Sequence, residues 1–222
     1  MNTAVDSVES ADGRNTRWEQ HRLQRRADLI RGARRAVHDL GPQASMDEIA
    51  AHAGTSKSVF YRYFGDKNGL QVAVGQRAIE FMERELMSAA ETSDNPLDGL
   101  YSMVSVYLRL AESSPHVYAF STRLPAGPDG QPAAMADFFD RIASVIDVHF
   151  REYLHQQQRS PSPASATWYW PRAAIGMVRS AGETWLASPP NERPAADRLA
   201  RKITAWLTIG LTGSYAKVPD PS

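Results

Sequence analysis

Side chains able to bind a polyanion crowd one short stretch, GTSKSVFYRYFGDK, from Gly54 to Lys67. Lys57, Arg62 and Lys67 bring charge and hydrogen-bond donors, and Ser58, Tyr61 and Tyr63 bring hydroxyls. Arginine addresses guanine O6 and N7 in a bidentate way, while hydroxyl and ammonium groups suit phosphate oxygens. The chemistry implied is recognition without bond making. Charge along the chain points the same way. The totals cancel at 25 basic and 25 acidic residues, yet residues 14–68 hold 11 Lys and Arg against 6 Asp and Glu, a net +5. Residues 1–13 carry three acids and no base, and residues 69–222 carry a net −2. A basic segment on a slightly acidic chain predicts a local polyanion site.

Reactive chemistry finds little support. There is no cysteine, which excludes thiolate nucleophiles, thiolate metal sites and disulfides. The six histidines (His21, His38, His52, His116, His149, His155) show no metal-ligand spacing, and no Gly-rich phosphate loop or nucleophile motif occurs. Neither an enzyme nor a cofactor is expected. No apolar run approaches the ~18 residues a membrane helix needs. The start, MNTAVDSVESADG, is polar and acidic, unlike a signal peptide. A cytoplasmic protein without a membrane partner is expected.

The elements that position these side chains are helices. Apolar residues recur at spacings of three and four, and the pattern predicts an all-α chain of about nine helices. Residues 1–16 are expected as a disordered arm, and 17–68 as one domain whose first helix runs from Arg17 to Leu40 and stops at Gly41-Pro42. Ser45-Met46-Asp47-Glu48 is a capping box that starts a second helix, ending at Gly54. A short third helix covers Ser56 to Phe64. Two short helices about a glycine turn make a helix-turn-helix, whose second helix enters the major groove of DNA. Val59, Phe60 and Phe64 would pack inward. Lys67 and the free N–H groups of the next helix would hold a phosphate, as would the capped start at Ser45.

The stretch MDEIAAHAGTSKSVFYRYFGDKNGL resembles the DNA-binding signature of the tetracycline-repressor (TetR/AcrR) family of bacterial transcription regulators. The likeness rests on Ile49-Ala50, Ala53-Gly54, Ser56-Lys57, Tyr61-x-Tyr63-Phe64, Lys67 and Leu70, and covers about Arg22 to Phe81. It implies DNA contacts at Lys57, Ser58, Tyr61, Arg62, Tyr63 and Lys67, with Ser45 as a further one, and an arm (Arg14, Arg17) reaching the minor groove or backbone. It implies a homodimer on a palindromic operator, most often a repressor, that responds to a small molecule. The alternative reading is a DNA-binding regulator or architectural factor with no small-molecule effector.

Residues 69–222 carry no motif and are expected to form a helical ligand-binding and dimerisation domain. The family dimerises through its last two helices. Here these would be the eighth, reaching Leu186, and the ninth, Ala195 to about Ser214, with Ala196, Leu199, Ile203, Trp206, Leu207 and Gly210 as its stripe. The fifth, Leu97 to Ser113, is apolar nearly all round and hence buried. It bears one polar seam: Ser102, Ser105, Arg109 and Glu112. Ser105 and Arg109 are candidate ligand contacts, with Phe120, Phe139, His149 and Trp185 around an apolar or aromatic ligand. A filled core also accounts for the aromatics, a hydrogen-bonded core residue for His149, and solvent or Glu112 for Arg109.

Overall fold

The computed structural model describes the backbone of residues 5–122, 133–156 and 166–212, with side chains for 17–122, 137–155 and 168–208. Every element among them is helical: α1 (Val5–Leu40), α2 (Met46–His52), α3 (Lys57–Phe64), α4 (Lys67–Glu91), α5 (Pro96–Ser113), α6 (Pro115–Thr122), α7 (Ala133–Gln156), a 3-10 turn (Ala166–Tyr169), α8 (Trp170–Ala187) and α9 (Ala196–Thr212). The all-α expectation holds. The first helix begins at Val5 and not at Arg17, so most of the arm expected as disordered is helical. The side chain of Arg14 lies outside the described residues.

The chain divides into two compact units. The first comprises α1–α3, α4 as far as Ala78, and α6 from His116 onward. It is larger than the 17–68 span expected, for a packing reason. Phe60 and Ile49, both fully buried, are enclosed by Leu29, Ala33 and Val37 of α1, Leu70 and Val74 of α4, and Val117 and Phe120 of α6. Helices α1–α3 alone would leave that core open. Phe120, expected at a ligand site, is therefore a core residue of the first unit. His116 ties α6 to the end of α1, with Nδ1 2.9 Å from the His38 carbonyl oxygen.

Local chemistry fixes the helix-turn-helix. The Glu48 N–H donates to Ser45 Oγ at 3.2 Å, and the Ser45 N–H donates to Glu48 Oε2 at 2.8 Å, closing the capping box. Gly54 follows α2 with φ +65°, a left-handed conformation that costs glycine nothing and turns the chain into α3. Ser45→Ala is expected to destabilise the first unit by about 1 kcal/mol at pH 7, the usual size of a lost N-cap. The Ser45 N–H and hydroxyl hold the Glu48 carboxyl below its ordinary value. A depressed carboxyl contributes its stability above the unfolded value and loses it as pH falls through the folded one. The gap between wild type and Ser45→Ala should thus narrow in acid, as thermal melts over a pH series would record.

The second unit holds the rest of α4 with α5, α7, α8 and α9. Its central pair is α5 against α9, lying antiparallel and joined by polar bonds. The Ser105 hydroxyl, buried, donates to Asp197 Oδ1 at 2.9 Å. Arg201 Nη1 donates to the Tyr101 hydroxyl at 3.5 Å, and Arg193 Nη2 to Glu112 Oε1 at 3.0 Å. Gly182 of α8 comes so near that an added Cβ would lie 2.9 Å from Tyr107 Cε1. The α9 stripe splits by face. Ala196, Ala200, Ile203 and Leu207 are buried, whereas Trp206 is 54% exposed. Ile203 belongs to the unit's own core and cannot serve a dimer face.

Candidate functional site

Helix α3 presents the basic stretch because its apolar side is anchored. Phe60 is fully buried, Phe64 lies 5.6 Å from it ring to ring, and Val59 packs against the same cluster. With that side committed, Lys57, Ser58, Tyr61 and Arg62 are left exposed and Tyr63 half-buried. The Arg62 guanidinium lies 5.6 Å over the Tyr63 ring, an arrangement that steadies a long side chain without spending its N–H donors. Ser58 Oγ is 3.0 Å from Ser56 Oγ. Tyr61 is 42% exposed with its hydroxyl-bearing ring beside the Lys57 ammonium, 5.6 Å from the centroid.

Two residues behave otherwise than the sequence suggests. The Lys67 ammonium donates to the Gln43 carbonyl oxygen at 3.1 Å, bracing the start of α4 against the turn between α1 and α2. It remains near the Ser45 cap, at the edge of the exposed face. The Lys57 ammonium donates to Asp47 Oδ2 at 2.8 Å, and this bond raises its pKa above the ordinary lysine value. Asp47 is the residue that sequence reasoning missed here. An acid in the first turn of a helix reads as a partner of the helix dipole, and nothing in its spacing shows that α3 folds across it.

The second unit contains two adjoining apolar clefts with free volumes of about 30 and 50 Å³, well below the ~300–1,000 Å³ of open small-molecule sites, so a ligand would have to widen them. Leu100, Met103 and Ile146 line both. His149 borders the first with Tyr153 and Trp170, and Phe139 borders the second with Arg179. The His149 Nδ1 is 2.9 Å from the Val145 carbonyl oxygen. That contact makes Nδ1 the donor in neutral imidazole and leaves Nε2 as an acceptor. Arg179 lies 5.3 Å over the Phe139 ring, with Nε 2.9 Å from Glu183 Oε1.

Of the six ligand candidates, Phe139 and His149 line these two cavities. Ser105 and Arg109 face α9: besides the Ser105 bond, Arg109 Nη1 is 4.0 Å from Asp197 Oδ1. A polar residue on a buried helix satisfies itself against the nearest partner, and here that partner is α9. Trp185 secures the turn between α8 and α9, donating from Nε1 to the Pro194 carbonyl oxygen at 2.8 Å with the Arg193 guanidinium 4.5 Å over its ring. Arg179 had no sequence signal, since it sits on a helix face that reads as solvated. Among the described residues no group of three or more His, Asp or Glu is arranged to hold a metal ion, and no helix is long and apolar enough to cross a membrane.

Comparison with known proteins adds three findings. The family model for bacterial regulatory proteins, tetR family, matches residues 29–74. An uncharacterised HTH-type transcriptional regulator of Mycobacterium tuberculosis is 32% identical over 223 residues, covering 95% of this chain and 91% of that protein. Two solved structures share the fold. FadR of Bacillus subtilis, in complex with stearoyl-CoA, has a TM-score of 0.65 at 14% identity, covering 83% of this chain and 98% of that one. FadR of Thermus thermophilus, a repressor in complex with lauroyl-CoA, has a TM-score of 0.60 at 16% identity, covering 89% and 99%.

Proposed function

This chain belongs to the tetR family of bacterial regulatory proteins, and we propose that it acts as a homodimeric repressor on a palindromic operator, released by a small molecule with a long apolar part. As a member of that family it is a DNA-binding transcription regulator and not an enzyme. The observation that carries the proposal is the division of α3, with Phe60 and Phe64 buried and Lys57, Ser58, Tyr61 and Arg62 exposed. Two such helices related by a two-fold axis would read half-sites about one DNA turn apart, or a multiple of it. Ser45, Tyr63 and Lys67 border that face and complete the proposed DNA contacts.

For the dimer, the outward face of α8 supports the family's arrangement. Ala173, Gly176, Met177, Ser180 and Thr184 are exposed at helical spacing, and a Cβ on Gly176 would meet nothing within 4 Å. Small residues there permit close helix approach, and Trp206 of α9 supplies an exposed aromatic anchor. For the effector, the apolar walls of the two cavities and the acyl-CoA ligands of the two FadR structures support a linear acyl chain. His149 and Phe139 would line its path.

Selection of bound fragments from genomic DNA, followed by fluorescence anisotropy on the recovered duplex, tests the DNA reading. Arg62→Ala should relax preference at particular base pairs, by about 1–3 kcal/mol for each bidentate arginine–guanine pair removed, whereas Lys67→Ala should weaken all sequences alike. Unchanged preference in Arg62→Ala would remove that residue from base readout. Titrating the bound operator with acyl-CoAs of increasing length, and with planar aromatics as controls, tests the effector. Release by aromatics alone would reject the acyl chain, and release by neither would favour a regulator without a small-molecule effector.

A further inference from the structure

The pairing of Lys57 with Asp47 has a consequence for sequence selectivity, and it rests on the reading of α3 as the helix that meets the groove. Lys57 is the first residue of α3 and Asp47 the second of α2. Their side chains are 54% and 59% exposed, and the 2.8 Å bond between them spans the solvent side of the helix-turn-helix. Tyr61 lies one turn further along the same face. A cation that DNA would use is thus already engaged by a carboxylate of the protein itself.

We propose that Asp47 is a specificity-determining residue, which withholds the Lys57 ammonium from random DNA and lets it bind only when α3 is seated on the operator. Exposed ion pairs are weak, so the bond is exchangeable. On random sequence α3 stands off the bases, and a phosphate must displace the carboxylate while tolerating its negative charge. Exchanging one anion for another yields almost nothing. On the operator the contacts of Tyr61 and Arg62 bring α3 close. Lysine has three N–H donors, so the ammonium then reaches a DNA acceptor while Asp47 still orients it. The carboxylate penalises non-specific binding more than specific binding, and selectivity is the difference between the two.

The test uses the full chain and two duplexes of equal length and composition, one the recovered operator and the other its scrambled sequence. Affinities are measured over a range of salt. Asp47→Asn should raise affinity for scrambled DNA about fivefold per protomer, the scale of an exposed pair. It should steepen the salt dependence by about 0.9 per protomer, since one more phosphate is neutralised. Operator affinity should change less, so the ratio between the two duplexes falls. If Asp47 only supports the start of α2, its loss would leave the salt slope alone and lower both affinities, and the proposal would be overturned.

Asp47→Ser, a residue suited to helix starts, should behave as Asp47→Asn does and separates charge from folding. In a Lys57→Gln background Asp47→Asn should have no effect. An equal effect there would mean that charge alone acts, without exchange, and would also overturn the proposal. If Arg62→Ala failed to alter operator preference, the placement of α3 would itself be at fault. If Arg62→Ala relaxed preference while Asp47→Asn left scrambled DNA untouched, only the role of Asp47 would fall.

Discussion

Ile203→Glu should unfold the second unit, whereas Trp206→Glu, on the same helix, should leave it folded and divide the dimer. Ile203 is fully buried and Trp206 is 54% exposed. A carboxylate forced into the place of Ile203 would be shut away from water. An uncompensated buried charge costs about 3–5 kcal/mol, a large part of the ~5–15 kcal/mol that holds a domain together. The group would protonate or the helix would leave. Trp206 faces outward beside the small-residue face proposed for the dimer. A glutamate there costs the monomer little, but in a two-fold interface it removes an aromatic anchor and opposes its own copy. Losing the second half-site should weaken operator binding on the order of 100-fold or more, the scale by which linked sites exceed single ones. Sedimentation velocity and thermal melts distinguish the two outcomes. A folded dimer of Trp206→Glu would place the interface elsewhere, and a folded Ile203→Glu would contradict the α9 packing.

A second large effect is expected at Gly69. This residue lies in the first turn of α4, and its N–H donates to Asp66 Oδ1 at 2.8 Å. An added Cβ would sit well inside the van der Waals envelope of the Phe64 carbonyl oxygen. That atom is backbone at the last residue of α3, so no side-chain rotation relieves the clash. Gly69→Ala must shift α3 against α4, at the cost of overpacking, about 1–3 kcal/mol. The displacement acts directly on the helix that carries Lys57, Tyr61 and Arg62. Operator affinity should fall further than the loss of stability accounts for, and anisotropy at a temperature where the variant is still folded would reveal it. Wild-type affinity in a folded Gly69→Ala variant would mean that the turn is looser than described.

Much of the first unit is legible in the sequence because its signals are local. The capping box at Ser45, the glycine at 54 and the buried spacing of Phe60 and Phe64 each act within a turn or two of themselves. What the sequence does not disclose are partners distant along the chain. Phe120 stands among aromatics in sequence, yet α6 returns to the first unit and completes its core. The polar residues of α5 share one face, but periodicity tells only that they share it and not what lies opposite. The same limit applies to α9, where one apolar stripe is wide enough to serve two surroundings. Ala200, fully buried, is too small to stand out in that stripe, and Trp206 shares its spacing with residues it does not join. Lys57 is legible as an exposed cation, while the carboxylate ten positions earlier that engages it is not.

The bonds between α5 and α9 also set a register. Apolar helix faces repeat nearly every turn, so a slide of one turn, about 5.4 Å, would find another set of side chains to pack against. The two polar pairings between these helices, Tyr101 with Arg201 and Ser105 with Asp197, match in one register, and Arg193, just before α9, adds its bond to Glu112. Sliding α9 by one turn would leave the buried Ser105 hydroxyl without its acceptor, and an unpaired buried polar group costs about 1–3 kcal/mol. The pair therefore behaves as a keyed joint and not as a bearing. Within the second unit, a molecule that enlarges either cavity would meet an α5 held in step with α9, the remaining walls being supplied by α4, α7 and α8.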